Sequence, residues 1–112
     1  MSADYTLIFF GVRYALTEAE VEAYDKRTDE RVKLCRRFNL DHWNGTFPKE
    51  DDTEGDFFLI GKRLALIGYE GSYEVQISPE ELTSLIRDTT AKLRQAGIEA
   101  EPKLWIQFGP DH

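Results

Sequence analysis

The sequence predicts an α+β protein, an antiparallel sheet with two helices on one of its faces. Three observations predict it. Short apolar runs with a strand period occur near both ends and in the middle of the chain. Two other stretches repeat apolar residues at helical spacing, and each of those opens with a capping signal. The order is β-α-β-β-(β)-α-β, the bracketed strand having the weakest pattern.

Tyr5–Val12 (YTLIFFGV) is the first strand. Leu7 and Phe9 fall on one face and Ile8, Phe10 and Val12 on the other, so it is a central strand covered on both sides. Thr17 opens the first helix. Thr17 and Glu20 form a capping box, which satisfies two free backbone donors, with Leu16 and Val21 placed as a hydrophobic staple. Val21, Tyr24, Thr28, Val32 and Cys35 then make a narrow apolar stripe. This helix either runs to about Phe38 or breaks near Thr28-Asp29, where a second cap stands. Acidic residues dominate its first half and cations its second, Lys26 to Arg37, an order that complements the helix dipole.

Residues 39–56 read as a long polar connection, with Asn44-Gly45, Pro48 and the acidic cluster Glu50, Asp51, Asp52, Glu54 and Asp56. That length marks a functional or mobile segment. A hairpin follows. Phe57–Ile60 and Leu64–Ile67 flank Gly61-Lys62, which suits a type II′ turn. Opposed residues share a face, so this register groups Phe57, Leu59, Leu64 and Leu66 on one side and Phe58, Ile60, Ala65 and Ile67 on the other. Neither side is polar. In Tyr73–Ile77 apolar residues alternate with Glu74 and Gln76, as in a half-solvated edge strand.

Ser78-Pro79-Glu80-Glu81 starts the second helix with a cap, a proline in the first turn and a capping-box glutamate. Leu82, Leu85, Ile86, Thr89, Leu93 and Ala96 form its buried stripe, and Gly97 is its stop. Lys103–Phe108 is the last strand, with Leu104, Ile106 and Phe108 on one face and Trp105 and Gln107 on the other. Without the bracketed strand this is the order of the split βαβ, ferredoxin-like arrangement, whose right-handed crossovers put both helices on one side of the sheet.

At 112 residues the chain has the length of a single domain, 1–112, and can bury a core without staples. Its formal net charge of −7 argues against nucleic acid and anionic membranes as partners, since both are held by Lys and Arg. The lone cysteine, Cys35, excludes an intrachain disulfide. The N-terminal run lacks the basic start and cleavage site of a signal peptide, and no stretch reaches membrane-span length. These features predict a cytoplasmic protein.

Function is read from the sheet. Its strands are apolar on both sides, and two helices cover only one of them. The second side, expected to show residues such as Phe10, Phe58, Ile67, Tyr69 and Trp105, needs a cover. A second copy packed across a two-fold axis, the 39–56 segment folded over it, or a docked ligand or protein would each serve; otherwise the loop and aromatic residues simply complete a core. Candidate chemistry is sparse. His42 beside acidic groups is a conceivable general base, but without a placed partner it reads as a loop residue. The acidic cluster departs from the EF-hand pattern and reads as a solvated loop. Cys35 falls in the apolar stripe and reads as a structural thiol. No phosphate loop, metal-binding Cys/His spacing or nucleophile elbow is present, so no cofactor and no metal site is expected. The prediction is a non-catalytic binding or regulatory module that self-associates, as a homodimer, or docks a protein partner through the apolar face. The alternatives are a small dimeric ferredoxin-like barrel enzyme, with Arg13, His42 and Trp43 as polar pocket residues, and an acidic inhibitor of a basic partner.

Overall fold

The computed structural model describes residues 4–16, 19, 30–48, 54–68 and 72–109. Among them the elements run β1 (Tyr5–Ala15), α1 (Glu30–Phe38), β2 (Asp41–Pro48), β3 (Glu54–Gly68), α2 (Pro79–Gln95) and β4 (Lys103–Gly109). The strands form one four-stranded sheet in the order β2-β3-β1-β4, each neighbouring pair antiparallel. The α+β class, an antiparallel sheet with two helices, is therefore what the chain adopts. No helix of the described residues is long and apolar enough to cross a membrane.

Three expected elements differ. The hairpin at Gly61-Lys62 does not form; both apolar runs belong to the single strand β3. Gly61 is close to fully extended, at φ 158°, and lies directly opposite Gly11 of β1. A Cβ on Gly11 would run into the Ile60 carbonyl, and one on Gly61 into the Phe10 carbonyl. The glycine serves close strand approach, a role that in sequence looks the same as a turn signal. Further along, the β1–β3 register shifts where Phe9 pairs with Arg63 but Ile8 pairs with Ala65, leaving Leu64 as the extra residue of a bulge.

The polar 39–56 connection is largely strand: β2 occupies Asp41–Pro48 and β3 starts at Glu54. Asn44-Gly45 is not a turn. Gly45 faces Phe57, whose ring tip would lie 2.8 Å from any Cβ there, so the glycine makes room for an aromatic side chain. A polar sequence is tolerated because β2 is an edge strand. Nor is Tyr73–Ile77 a strand. The chain beyond β3 makes one isolated parallel bridge, Ile67 to Ser72, and then runs irregularly to α2 with Tyr73 and Val75 exposed. Among the described residues its alternation has no neighbouring strand to pair with.

The helices match their signals where they are described. The Ser78 side chain accepts from the Glu81 backbone N–H at 3.1 Å, and Pro79 opens α2. Both helices stop in the same way. Gly97, at φ 83°, and Asn39, at φ 56°, take the left-handed conformation. The next residue donates back across the turn, Ile98 to the Leu93 carbonyl at 2.9 Å and Leu40 to that of Cys35 at 2.8 Å. Ile98 and Leu40 thereby drop into the core. The capping residues Thr17, Glu20, Thr28 and Asp29, and the stripe residues Val21 and Tyr24, lie outside the described residues.

Two apolar clusters lie on opposite sides of the sheet. Under the helices, Val12, Phe58 and Ile60 pack with Cys35 of α1, Leu93 of α2, Leu40 and Ile98. On the other side, Leu7, Phe9, Phe57 and Leu59 are buried, with Tyr5, Trp43, Leu66 and Trp105 packed against them. The chain's own aromatic side chains thus close over much of the face that was expected to need an outside cover.

Candidate functional site

Opposed residues across β1 and β4 place Leu104 by Phe10, Ile106 by Ile8 and Phe108 by Thr6, all on the helix side of the sheet. Yet α2 makes its main sheet contacts with β1 and β3. Leu104, Ile106 and Phe108 therefore stand 46%, 67% and 56% exposed, in a row along an edge strand. On the reverse of the same strand Gln107 is buried and Trp105 half-buried. The burial of β4 is inverted relative to its chemistry: three large apolar residues meet water while an amide is enclosed.

A second feature lies where β2 begins. The β2–β3 ladder stops at Asp41–Gly61, and β3 continues past it. There the Arg63 backbone N–H donates to Asp41 Oδ2 at 2.9 Å, so the carboxylate replaces the next carbonyl of the missing ladder. Lys62 Nζ lies 3.7 Å from the same oxygen, both side chains being well exposed, a weak pairing in water. His42 is half-buried, its ring stacked on Phe58 at 5.6 Å between centroids and 7° between planes. Leu40, Asp41, His42 and Arg63 line a cleft of about 290 Å³. Its lining brings Asp41, His42 and Arg63 together at a sheet edge.

The residues singled out from sequence do not assemble as expected. Phe10 and Phe58 are buried on the helix side, Ile67 is half-buried on that same side, and Trp105 lies on the opposite side. Tyr69 is outside the described residues. These do not form one exposed face, because a side chain's face and its burial are separate matters. The polar trio separates too. His42 pairs with Ile60 on the helix side, while Trp43 pairs with Leu59 on the reverse and packs edge-on against Tyr5 at 5.8 Å. Arg13 stacks 4.3 Å above the Trp105 ring, whose Nε1–H donates to the Gly11 carbonyl at 3.0 Å. Only His42 lies in the cleft. Asp41 and Arg63 carry no signal in the sequence, because their approach depends on the β2–β3 ladder stopping at Asp41. Within α1, Arg31 turns inward, 5.6 Å from the Tyr14 ring, and Lys33 pairs with Glu30 at 3.2 Å. Burial raises the Tyr14 pKa above its usual value of 10.0, against a lowering by the Arg31 charge. Cys35 is a buried thiol 3.9 Å from the Asp41 carbonyl. Most of the acidic cluster lies outside the described residues, among which no three His, Cys, Asp or Glu side chains could hold a metal. No family model, curated protein or solved structure matches the chain.

Proposed function

We propose that the protein is a small binding or regulatory module without chemistry of its own, which docks through an exposed apolar surface. The observation that carries this is the row Leu104, Ile106 and Phe108 on β4. Contiguous exposed apolar side chains on a monomer mark interaction surfaces, and edge strands are normally blunted by charge, proline or a covering loop. The row has replaced the face named from sequence as the docking surface. The strand order read from this edge, β4-β1-β3-β2, supports a ferredoxin-like arrangement with β4 as its free margin. The lone buried thiol fits a reducing, cytoplasmic setting. Anilinonaphthalene sulfonate fluorescence tests the surface. The folded wild type should enhance the dye, and Ile106→Lys with Phe108→Lys should remove most of the enhancement. A wild type that leaves the dye unchanged refutes the reading.

The cleft favours a second reading, a small enzyme of the dimeric barrel type, because His42 lines it together with Asp41 and Arg63. Titration of inorganic phosphate against the His42 ring-proton resonances tests this. A saturable shift, lost in Arg63→Ala, supports it; resonances that do not move remove it.

A further inference from the structure

We propose that β4 pairs antiparallel with β4 of a second copy, about a two-fold axis through Ile106, to extend the sheet from four strands to eight. This rests on the reading of the β4 row as a docking surface and names its occupant. Three features select another copy of this chain. First, β4 is a free edge: in the sheet it has β1 on one side and no strand of the described residues on the other. Second, that edge is bounded at both ends. Pro102 precedes Lys103 and Pro110 follows Gly109, and neither has a backbone N–H to donate. The seven residues between them, with Ile106 at their midpoint, are the ones that can pair.

Third, the seven residues are chemically self-complementary when reversed. Pairing about Ile106 sets Leu104 against Phe108 of the second copy, Ile106 against Ile106, Trp105 against Gln107 and Lys103 against Gly109. Opposed residues share a face, so the exposed rows of the two copies meet as one apolar stripe, Leu104, Ile106 and Phe108 from each. No charge opposes a like charge, although each chain carries −7 overall; β4 contains no acidic residue, and its one cation faces a glycine. The opposite margin of the sheet contrasts with this. β2 contains Asp41, Gly45 and Pro48, and the part of β3 beyond it is shielded by the Asp41 carboxylate on the Arg63 N–H and by the bridge to Ser72. Among the described strands, β4 alone offers an apolar edge without an acidic residue. A strip roughly 23 Å long is at the small end of specific interfaces, so the dimer should be reversible, with dissociation in the micromolar range.

Sedimentation equilibrium and site-directed cross-linking test this. Across about 5–500 µM, the wild-type mass should climb from 13.0 kDa towards twice that value. Ile106→Lys, at a position that does not hold the monomer together, should weaken association at least about tenfold. Ile106→Cys should oxidise to a covalent dimer, since directly opposed residues lie roughly 4.5–5.5 Å apart at Cα, within disulfide reach. Leu104→Cys should not, because the two copies of residue 104 are offset by four positions, roughly 13 Å. The buried Cys35 serves as the unreactive internal control. A wild type that remains a monomer throughout overturns the self-pairing. If it still enhances the dye, the docking reading survives with a different occupant. Cross-linking at Leu104→Cys as efficient as at Ile106→Cys overturns the axis.

Discussion

Gln107 is 7% exposed on the reverse of β4, opposite the fully buried Leu7, and its Nε2 has no hydrogen-bond acceptor among the described residues. A buried amide donor left unmade is destabilising by about 1–3 kcal/mol. Methionine has nearly the same length and volume as glutamine and carries no donor, so Gln107→Met should fill the same space beside Leu7 without strain. We expect it to stabilise the fold by about 1–2 kcal/mol, some of the gain being offset by lost hydration of the amide oxygen. In a chain of this size that is a rise in Tm of roughly 4–8 °C. Urea denaturation and thermal melts at about 1 µM, below the expected range of self-association, measure it. Gln107→Ala should move the other way, because it leaves a cavity against Leu7. A Gln107→Met variant less stable than wild type by about 1 kcal/mol would show that the amide is satisfied and would refute this reasoning.

Other expectations follow from single positions. Gly11→Ala and Gly61→Ala each force a methyl into the opposite strand's carbonyl and should destabilise by more than about 2 kcal/mol. Gly97→Ala, with open space around it but φ 83°, should lose only about 1 kcal/mol; equal losses at all three sites would contradict the packing of β1 on β3. Ser78→Ala removes the α2 cap and should lower stability by about 1 kcal/mol in urea titrations, with Ser78→Asp largely restoring it. The raised pKa of Tyr14 means that the folded state holds its phenolic proton where the unfolded state has lost it. Its contribution is complete below pH 10 and declines as the pH rises through the folded value. Denaturation midpoints should fall above pH 10 less steeply in Tyr14→Phe than in wild type, and an unchanged slope would contradict the assignment.

Some elements were legible because their signals are local. The Ser78 cap, the proline after it and the Gly97 stop bound α2 within a residue or two of its observed ends. The period-two apolar pattern located β1, β4 and the two halves of β3. Misreadings came at glycines. Gly61 reads as a turn and Gly45 as part of a polar connection, whereas the structure uses them for close approach to Gly11 and to the Phe57 ring. A missing Cβ serves both purposes, and the choice lies with a strand many residues away. β2 was hidden for a related reason: an edge strand with polar residues differs little from a loop until its partner β3 is known. His42 was noticed in the sequence, but its cleft needs Arg63, which only the β2–β3 ladder brings beside it.

By itself, the amino-acid order determined where the chain turns helical, which residues along each strand share a side, and that the strands are apolar on both sides. These depend on local capping chemistry and on the two-residue repeat of an extended backbone. Which side became interior was decided only in the tertiary structure. Leu104, Ile106 and Phe108 lie on the helix side, yet they are exposed, α2 making its main sheet contacts with β1 and β3. Leu7 and Phe9 face away from the helices, yet they are buried because Trp43, Trp105 and Tyr5 close over them. Burial depends on where neighbours come to rest, and that is a property of the assembled layers rather than of any one strand.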